Sequence, residues 1–273
     1  MKRLSDWIKK RPLWAYFVLA YALSWLVLAP LLIAGSTASL VRTILGILSD
    51  FGPPLAAVIV VGVLEEKDGL RAWLTRIFRW RVKPAWYLAA LLVPVVLVYL
   101  GYGFYLLLRG TPLKSYEIPP PLLFLVTLLF IMFLGGGQEE PGWRGFALPR
   151  LQERFGALGA SMLLGVIWAF WHTPKFFIPG TIQSETPMLW YLLLAPAVTT
   201  LLTWIFNSAK GSVLPAMLLH AGINTAPGLI PLDRPGGLVS MRWAVLIAIW
   251  LMVAVLVLVY RPEKLSGKSR ITW

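Results

Sequence analysis

The chain has 273 residues, of which 58% are hydrophobic and 14% are charged, and its 25 Lys and Arg residues outnumber 12 Asp and Glu residues. Soluble domains are usually about 25% charged, so this composition excludes a large soluble domain and indicates a membrane protein. The chain contains no cysteine, which excludes disulfides, thiolate nucleophiles and cysteine metal sites.

Apolar stretches long enough to cross a bilayer recur along the chain and are separated by short charged connectors. We predict an all-α polytopic membrane protein with about eight transmembrane helices and a polar catalytic cavity between them. Without repeats or long linkers, residues 1–273 are predicted to form a single integral membrane domain. The predicted spans are 13–34, 44–64, 85–108, 121–137, 156–174, 188–206, 211–230 and 242–260.

The positive charge is divided unevenly between the two sides of the predicted bundle. Most of the basic residues fall on one side, and the other side receives Arg42, Arg109, Lys114, Lys175, Arg234 and Arg242. By the positive-inside rule, both termini are then cytoplasmic, and in a prokaryote the membrane would be the plasma membrane. The distribution favours contact of the basic connectors with anionic lipids over nucleic acid binding. Connector 69–87 has the helical spacing of a segment lying on that interface.

Ionisable residues inside the predicted spans are few, and such residues are usually functional. Asp50 stands beside a predicted helix break at Gly52, Pro53 and Pro54. We predict a cap or kink role for Asp50, because Asp accepts hydrogen bonds from freed backbone amides, with a place near a functional site as the alternative.

The sequence GGGQEEPGWRG, residues 135–145, places Glu139 and Glu140 between three glycines and Pro141. This pattern predicts a backbone break that turns both carboxylates away from lipid. A helix that starts at Pro141 would put Glu140 four residues before Arg144, near enough for an ion pair. Glu139 then needs a partner from another helix, and His172 is the candidate.

Two other predicted spans carry polar residues that share a helix face. Trp168 and His172 are four residues apart, and so are His220 and Asn224. A carboxylate beside an imidazole, both shielded from bulk water, can deprotonate a water for attack on a carbonyl. A second histidine and an asparagine can donate hydrogen bonds to the oxyanion that forms. Each residue alone would more often be structural, but the set indicates hydrolytic chemistry.

The sequence lacks the motifs that other classes of hydrolase require. No HExxH motif is present for a zinc metalloprotease, and no GxSxG motif is present for a serine nucleophile. Ser161 has no histidine at a suggestive spacing, and a single aspartate near a span cannot form an aspartyl pair. A glutamate with histidines is the design that the sequence supports.

The segments EEPGWRGFALPRLQERFG, WAFWH and LLHAGIN resemble the three ordered motifs of the CPBP family of intramembrane proteases. This family includes the CAAX prenyl endopeptidases and bacterial relatives linked to bacteriocin self-immunity. The resemblance covers about residues 120–230, the predicted protease-family core. It implies an eight-span helical fold whose catalytic cavity opens toward the cytoplasmic side.

The resemblance also implies roles for the site residues, with water activation by Glu139 and His172, an oxyanion hole of His220 and Asn224, and a supporting ion pair of Glu140 with Arg144. Trp168 stands where the family more often has Phe, which we expect to reshape the cavity without abolishing function. We predict that no cofactor is needed. Zinc held by Glu139, His172 and His220 is the alternative.

The predicted function is an intramembrane endopeptidase acting on a membrane-associated peptide or lipidated protein, for which a prenylated CAAX peptide is the family's best-known substrate. Two other functions stay open. Buried Glu and His residues also relay protons in transporters. The same fold also suits a non-catalytic membrane scaffold or immunity factor, because fold does not dictate activity.

Overall fold

A computed structural model describes residues 2–34, 38–108, 110, 112, 118–230, 240–267 and 270–272. All regular elements among these residues are helical, which confirms the predicted all-α class. The helices are α1 (Lys2–Lys10), α2 (Pro12–Ala34), α3 (Ser39–Ser49), α4 (Gly52–Ile77), α5 (Pro84–Leu107), α6 (Pro121–Leu134), the single turn α7 (Glu140–Gly142), α8 (Leu148–Trp171), α9 (Met188–Ser208), α10 (Leu214–Thr225) and α11 (Met241–Tyr260).

Six stretches of the described chain are long and apolar enough to cross a membrane, namely Pro12–Ala34, Ser39–Ile77, Pro84–Leu107, Pro121–Phe177, Met188–Ser208 and Met241–Tyr260. The protein is therefore an integral, multi-pass membrane protein, as predicted. Each predicted span except 211–230 falls within one of these stretches to within a residue. That region forms α10, whose 12 residues extend about 18 Å, less than the roughly 30 Å of a hydrocarbon core. Because α10 packs against α5, α6 and α9, it lies inside the bundle.

The helices expose large apolar side chains and meet one another through small residues. Leu26, Ile33 and Leu258 are 72%, 85% and 82% exposed, as expected of side chains that face lipid. Between α8 and α9, by contrast, a Cβ added at Gly165 would lie 2.3 Å from the Cα of Pro196. Glycine therefore allows the two backbones to approach closely, a common arrangement in membrane bundles.

The predicted break near Asp50 is confirmed, but the predicted capping role of this residue is wrong. Helix α3 ends at Ser49 and α4 begins at Gly52, and no side chain caps the first turn of α4. The carboxylate of Asp50 instead accepts hydrogen bonds from the Nζ of Lys175 at 2.5 Å and the hydroxyl of Ser49 at 3.3 Å. A buried carboxylate is better stabilised by a charged partner than by backbone amides alone, and Lys175 supplies that charge.

The predicted interfacial segment, 69–87, is helical only as far as Ile77, as the second half of α4, and α5 begins at Pro84. The helix kinks at Glu66, whose φ is 52°, and continues to Ile77. Beyond the kink Trp73 is buried, whereas Leu74 and Phe78 are 44% and 66% exposed. The segment thus packs one face on the protein and offers an apolar and basic face outward.

Basic connectors predicted to share one side lie together in the structure. Arg79 donates a hydrogen bond to the carbonyl of Lys210 at 2.9 Å, and Gln152 donates one to the carbonyl of Ile271 at 2.7 Å. Of the basic residues sorted by side, Arg109, Lys114, Arg234 and Lys268 lie outside the described residues.

Candidate active site

The backbone breaks at the three glycines, slightly earlier than predicted. Helix α6 ends at Leu134, Gly136 has a φ of 135°, and a 3-10 turn starts at Gly137, so Pro141 lies inside helical structure that has already begun. A Cβ at Gly137 would lie 2.4 Å from the carbonyl oxygen of Met132, which explains the need for glycine there. The segment continues through α7 and a π-helical turn, Trp143–Ala147, into α8. Such π turns are frequent at functional sites.

Glu139 is 2% exposed and is held by two indole groups. Its Oε2 accepts hydrogen bonds from the Nε1 of Trp168 at 2.7 Å and the Nε1 of Trp143 at 3.1 Å. Both bonds go to the same oxygen, so neither indole occupies Oε1. The carboxylate is therefore fixed in orientation and keeps one oxygen for another donor.

Glu140 forms the ion pair that the spacing predicts, and it also binds a histidine. The Nη1 of Arg144 lies 3.0 Å from Oε1 and 2.9 Å from Oε2 of Glu140, and both residues are fully buried. The Nδ1 of His220 lies 2.7 Å from Oε1. Because a carboxylate accepts hydrogen bonds, Nδ1 carries a proton, and Nε2 of His220 points elsewhere. Glu140 thus joins the segment after α6 to α10.

His172 does not contact Glu139 directly among the described residues, contrary to the predicted pairing. Its Nδ1 lies 2.9 Å from the carbonyl of Trp168, so Nδ1 is the protonated nitrogen and Nε2 the acceptor. The Trp168 ring packs edge-on against both His172 and His220, with centroid separations of 5.2 and 5.3 Å. The same indole thus contacts the carboxylate of Glu139 and both imidazoles. A water held by Glu139 and His172 requires no direct contact between them.

His220 and Asn224 converge on Gly136. A Cβ added at Gly136 would lie 2.8 Å from the Nε2 of His220 and 2.8 Å from the Nδ2 of Asn224. Asn224 also donates a 3.3 Å hydrogen bond to the carbonyl of Gly135. Two nitrogen atoms thus face a small space that exists because residue 136 has no side chain. An oxygen atom in this space would be within hydrogen-bonding distance of both nitrogens.

Asn224 is the exposed residue of the site, and this exposed end is here called the opening. This residue is ten positions after the first residue of α10, or about 15 Å along the helix axis. Asn224 is exposed, and Phe133 and Leu134 at the end of α6 are 51% and 38% exposed. The exposed amide of Asn224 thus adjoins exposed apolar residues at the end of α6.

Sequence reasoning missed Trp143, Gly136 and the Asp50–Lys175 pair. Trp143 follows Glu139 at the same four-residue spacing that joins Glu140 to Arg144, so the spacing carried a usable signal. Gly136 was predicted only as part of the backbone break. The space beside it depends on the packing of α10, which the sequence does not reveal. Lys175 comes three residues after His172, but its pairing with Asp50 depends on two helices distant in sequence.

The zinc alternative does not fit the contacts of these residues. In the described part of the chain, no three His, Cys, Asp or Glu side chains are grouped as metal ligands. We derive no step through a metal, and metal independence stays a prediction.

Comparison with known proteins confirms the resemblance over the region that carries the site. Residues 121–226 match the family described as Type II CAAX prenyl endopeptidase Rce1-like. A relative from Methanococcus maripaludis, described as CAAX prenyl protease 2, is 32% identical over 116 residues. That match covers 40% of this chain and 42% of the relative, so it spans less than half of the relative's length. The family match runs from the start of α6 to just after α10.

Proposed function

We propose that this protein, whose residues 121–226 match the type II CAAX prenyl endopeptidase family, is an intramembrane endopeptidase. It hydrolyses a peptide bond of a membrane-associated substrate of the prenylated CAAX type. The observation that carries the proposal is the convergence of His220 Nε2 and Asn224 Nδ2 at Gly136, beside a carboxylate fixed by two indoles. This arrangement supplies a base and an oxyanion site next to each other.

In the proposed mechanism, Glu139 and His172 act on the attacking water. Oε1 of Glu139 and Nε2 of His172 are hydrogen-bond acceptors, so they can orient a water and remove its proton. The resulting hydroxide attacks the carbonyl carbon of the scissile bond. The leaving amine takes up the transferred proton as the C–N bond breaks.

The negative charge that develops on the carbonyl oxygen is stabilised at Gly136. The Nδ2 of Asn224 donates one hydrogen bond. His220 Nε2 donates a second when the imidazole carries both protons, with Nδ1–H bound to Glu140. Donors of this kind contribute about 3 to 4 kcal/mol to the transition state. Arg144 and Glu140 keep the His220 ring in place.

Access from the membrane supports a lipidated substrate. The opening beside Asn224 adjoins exposed apolar residues of α6, including Phe133 and Leu134. A prenyl chain can remain in the lipid phase or against this surface while the peptide enters. The basic connectors are proposed to face the cytoplasm and to contact anionic lipids, which attract Lys and Arg at the bilayer surface.

Peptide cleavage by purified variants tests the proposal. We expect Glu139→Ala and His172→Ala each to lower cleavage of a farnesylated CAAX-ended peptide by about 100-fold or more, the usual contribution of a general base. Glu185→Ala, at an exposed glutamate outside the site, is the matched control and should cleave as the wild type does.

Unchanged cleavage by Glu139→Ala in a pure preparation would contradict the proposal. The transporter would be favoured if the wild type cleaves no peptide but carries a flux across liposomes, and if both site variants abolish that flux. Protection or partner binding that survives Glu139→Gln would favour the scaffold. Natural substrates would be identified by comparing the membrane proteomes of cells that carry the wild type or Glu139→Ala and finding the proteins whose C-termini differ.

A further inference from the structure

A second ion pair lies next to the site, away from the opening at Asn224. The Nζ of Lys175 is 2.5 Å from the Oδ1 of Asp50, and the two side chains are only 13% and 10% exposed. Asp50 lies at the break between α3 and α4, where its Oδ1 also accepts a hydrogen bond from Ser49. The pair is outside the set of residues that the proposed chemistry uses.

The backbone ties Lys175 to the water-activating histidine. The N–H of Lys175 donates to the carbonyl of His172 at 2.9 Å, and its own carbonyl accepts a hydrogen bond from the Thr181 hydroxyl at 2.5 Å. The ammonium lies 5.5 Å from the centre of the Trp171 ring, and that ring packs on His172 with centroids 4.7 Å apart. The position of the ammonium is therefore fixed relative to His172.

The ammonium therefore carries a positive charge close to the water-activating His172, with Asp50 as its charged partner. A cation inside a membrane protein is costly and usually serves a ligand or an ion path. A lysine ammonium has three N–H donors, and the hydrogen bond to Asp50 uses one of them.

We propose that Lys175 binds the C-terminal carboxylate of the peptide substrate, and that Asp50 positions its ammonium. This inference rests on the proposed function. The CAAX motif is by definition C-terminal, so a scissile bond within it lies a few residues from a free carboxylate. Two residues of extended chain span about 7 Å, so that carboxylate lies beyond the carbonyl bound at Gly136. In this proposal the donors at Gly136 hold the scissile carbonyl, and the cation bonded through its backbone to His172 holds the C-terminus.

The test compares two farnesylated CAAX-ended fluorogenic peptides that differ only at the C-terminus, one a free acid and the other a carboxamide. We expect the wild type to prefer the acid by about tenfold or more in kcat/KM, as a hydrogen bond between charged groups implies. Lys175→Gln should bring this ratio close to one, mainly by raising KM for the acid. Lys175→Arg, which keeps the positive charge, should retain a preference for the acid.

Asp50→Asn separates carboxylate recognition from a merely structural ion pair. This variant keeps the cation and should retain the preference for the acid, whereas Asp50→Asn/Lys175→Gln should lose it. The double variant leaves no buried charge unpaired. If Lys175→Gln alone does not fold, the ratio of kcat/KM for the acid to kcat/KM for the carboxamide is measured with the double variant.

Three results would overturn the inference. One is a wild type that cleaves both peptides equally, which leaves the proposed function intact. Another is an equal loss on both peptides in Asp50→Asn and Lys175→Gln, which indicates a structural pair. The third is a wild type that cleaves neither peptide, which also overturns the proposed function.

Discussion

At the scale of single residues, the two adjacent glutamates have different surroundings. Glu140 is neutralised by Arg144 and bonded to His220, whereas Glu139 accepts hydrogen bonds from two neutral indoles. Indole N–H groups hold a carboxylate in place without pairing its charge with a cation. Glu139 therefore keeps the character of a base, which agrees with its proposed role.

The indole donors lead to a prediction on Trp168. We expect Trp168→Phe to lower cleavage by about 10- to 100-fold, because one hydrogen bond to a charged group contributes about 1.5 to 3 kcal/mol while Trp143 still holds Oε2. Trp143→Phe/Trp168→Phe should lose much more. The measurement is kcat/KM for the farnesylated peptide.

The matched control is Trp204→Phe, at a buried tryptophan whose Nε1 has no hydrogen-bond partner in the described structure. A Trp168→Phe variant as inactive as Glu139→Ala would show that Trp168 does more than orient the carboxylate.

At the scale of elements, the irregular segment between α6 and α8 forms the centre of the site. A continuous helix would rise 1.5 Å and turn 100° with each residue, so the directions of the two glutamates would be set by that helix alone. The 3-10 turn, α7 and the π turn instead bring Glu139 to Trp168 and Glu140 to His220. Such backbone is tolerated at membrane depth because it is buried in protein.

The open space at Gly136 gives the prediction at this scale. Gly136→Ala should lower cleavage by about 100-fold or more, since its Cβ would occupy the position that faces His220 and Asn224. Alanine is also strained at a φ of 135°, so the control must share that strain.

Gly156→Ala provides this control, because Gly156 has a φ of 68° and a Cβ there would have no neighbour closer than 3.6 Å. Thermal unfolding of both variants measures the strain, and peptide cleavage measures the site. Equal activity losses in the two variants would show that strain alone explains the effect.

At the scale of the whole molecule, two sets of connectors gather at opposite ends of the bundle. Arg79 bonds to Lys210 at one end, and at the other Arg242 donates a hydrogen bond to the carbonyl of Glu185 at 3.1 Å. The first end is rich in Lys and Arg, which is why we propose that it faces the cytoplasm.

The absence of cysteine allows a direct test of this orientation. Thr75→Cys and Ser184→Cys introduce single thiols at exposed positions near the two ends. With a membrane-impermeant maleimide, we expect Ser184→Cys to be labelled in intact cells and Thr75→Cys only after permeabilisation. The reverse pattern would contradict the proposed orientation.

The sequence by itself determined the membrane class and most of the spans, and it predicted the residues of the candidate site. These features depend on composition, on the length of apolar runs and on four-residue spacings, all of which are local properties. The pairing of Glu140 with Arg144 followed from spacing in the same way.

Only the tertiary structure decided which groups meet across helices. It bonded Glu139 to Trp168, bonded Glu140 to His220, and joined Asp50 to Lys175. It also showed that α10 is too short to cross the membrane alone and that Gly136 leaves space for two nitrogen atoms. Contacts of this kind depend on how helices distant in sequence pack together, and spacing along one helix carries no information about that packing.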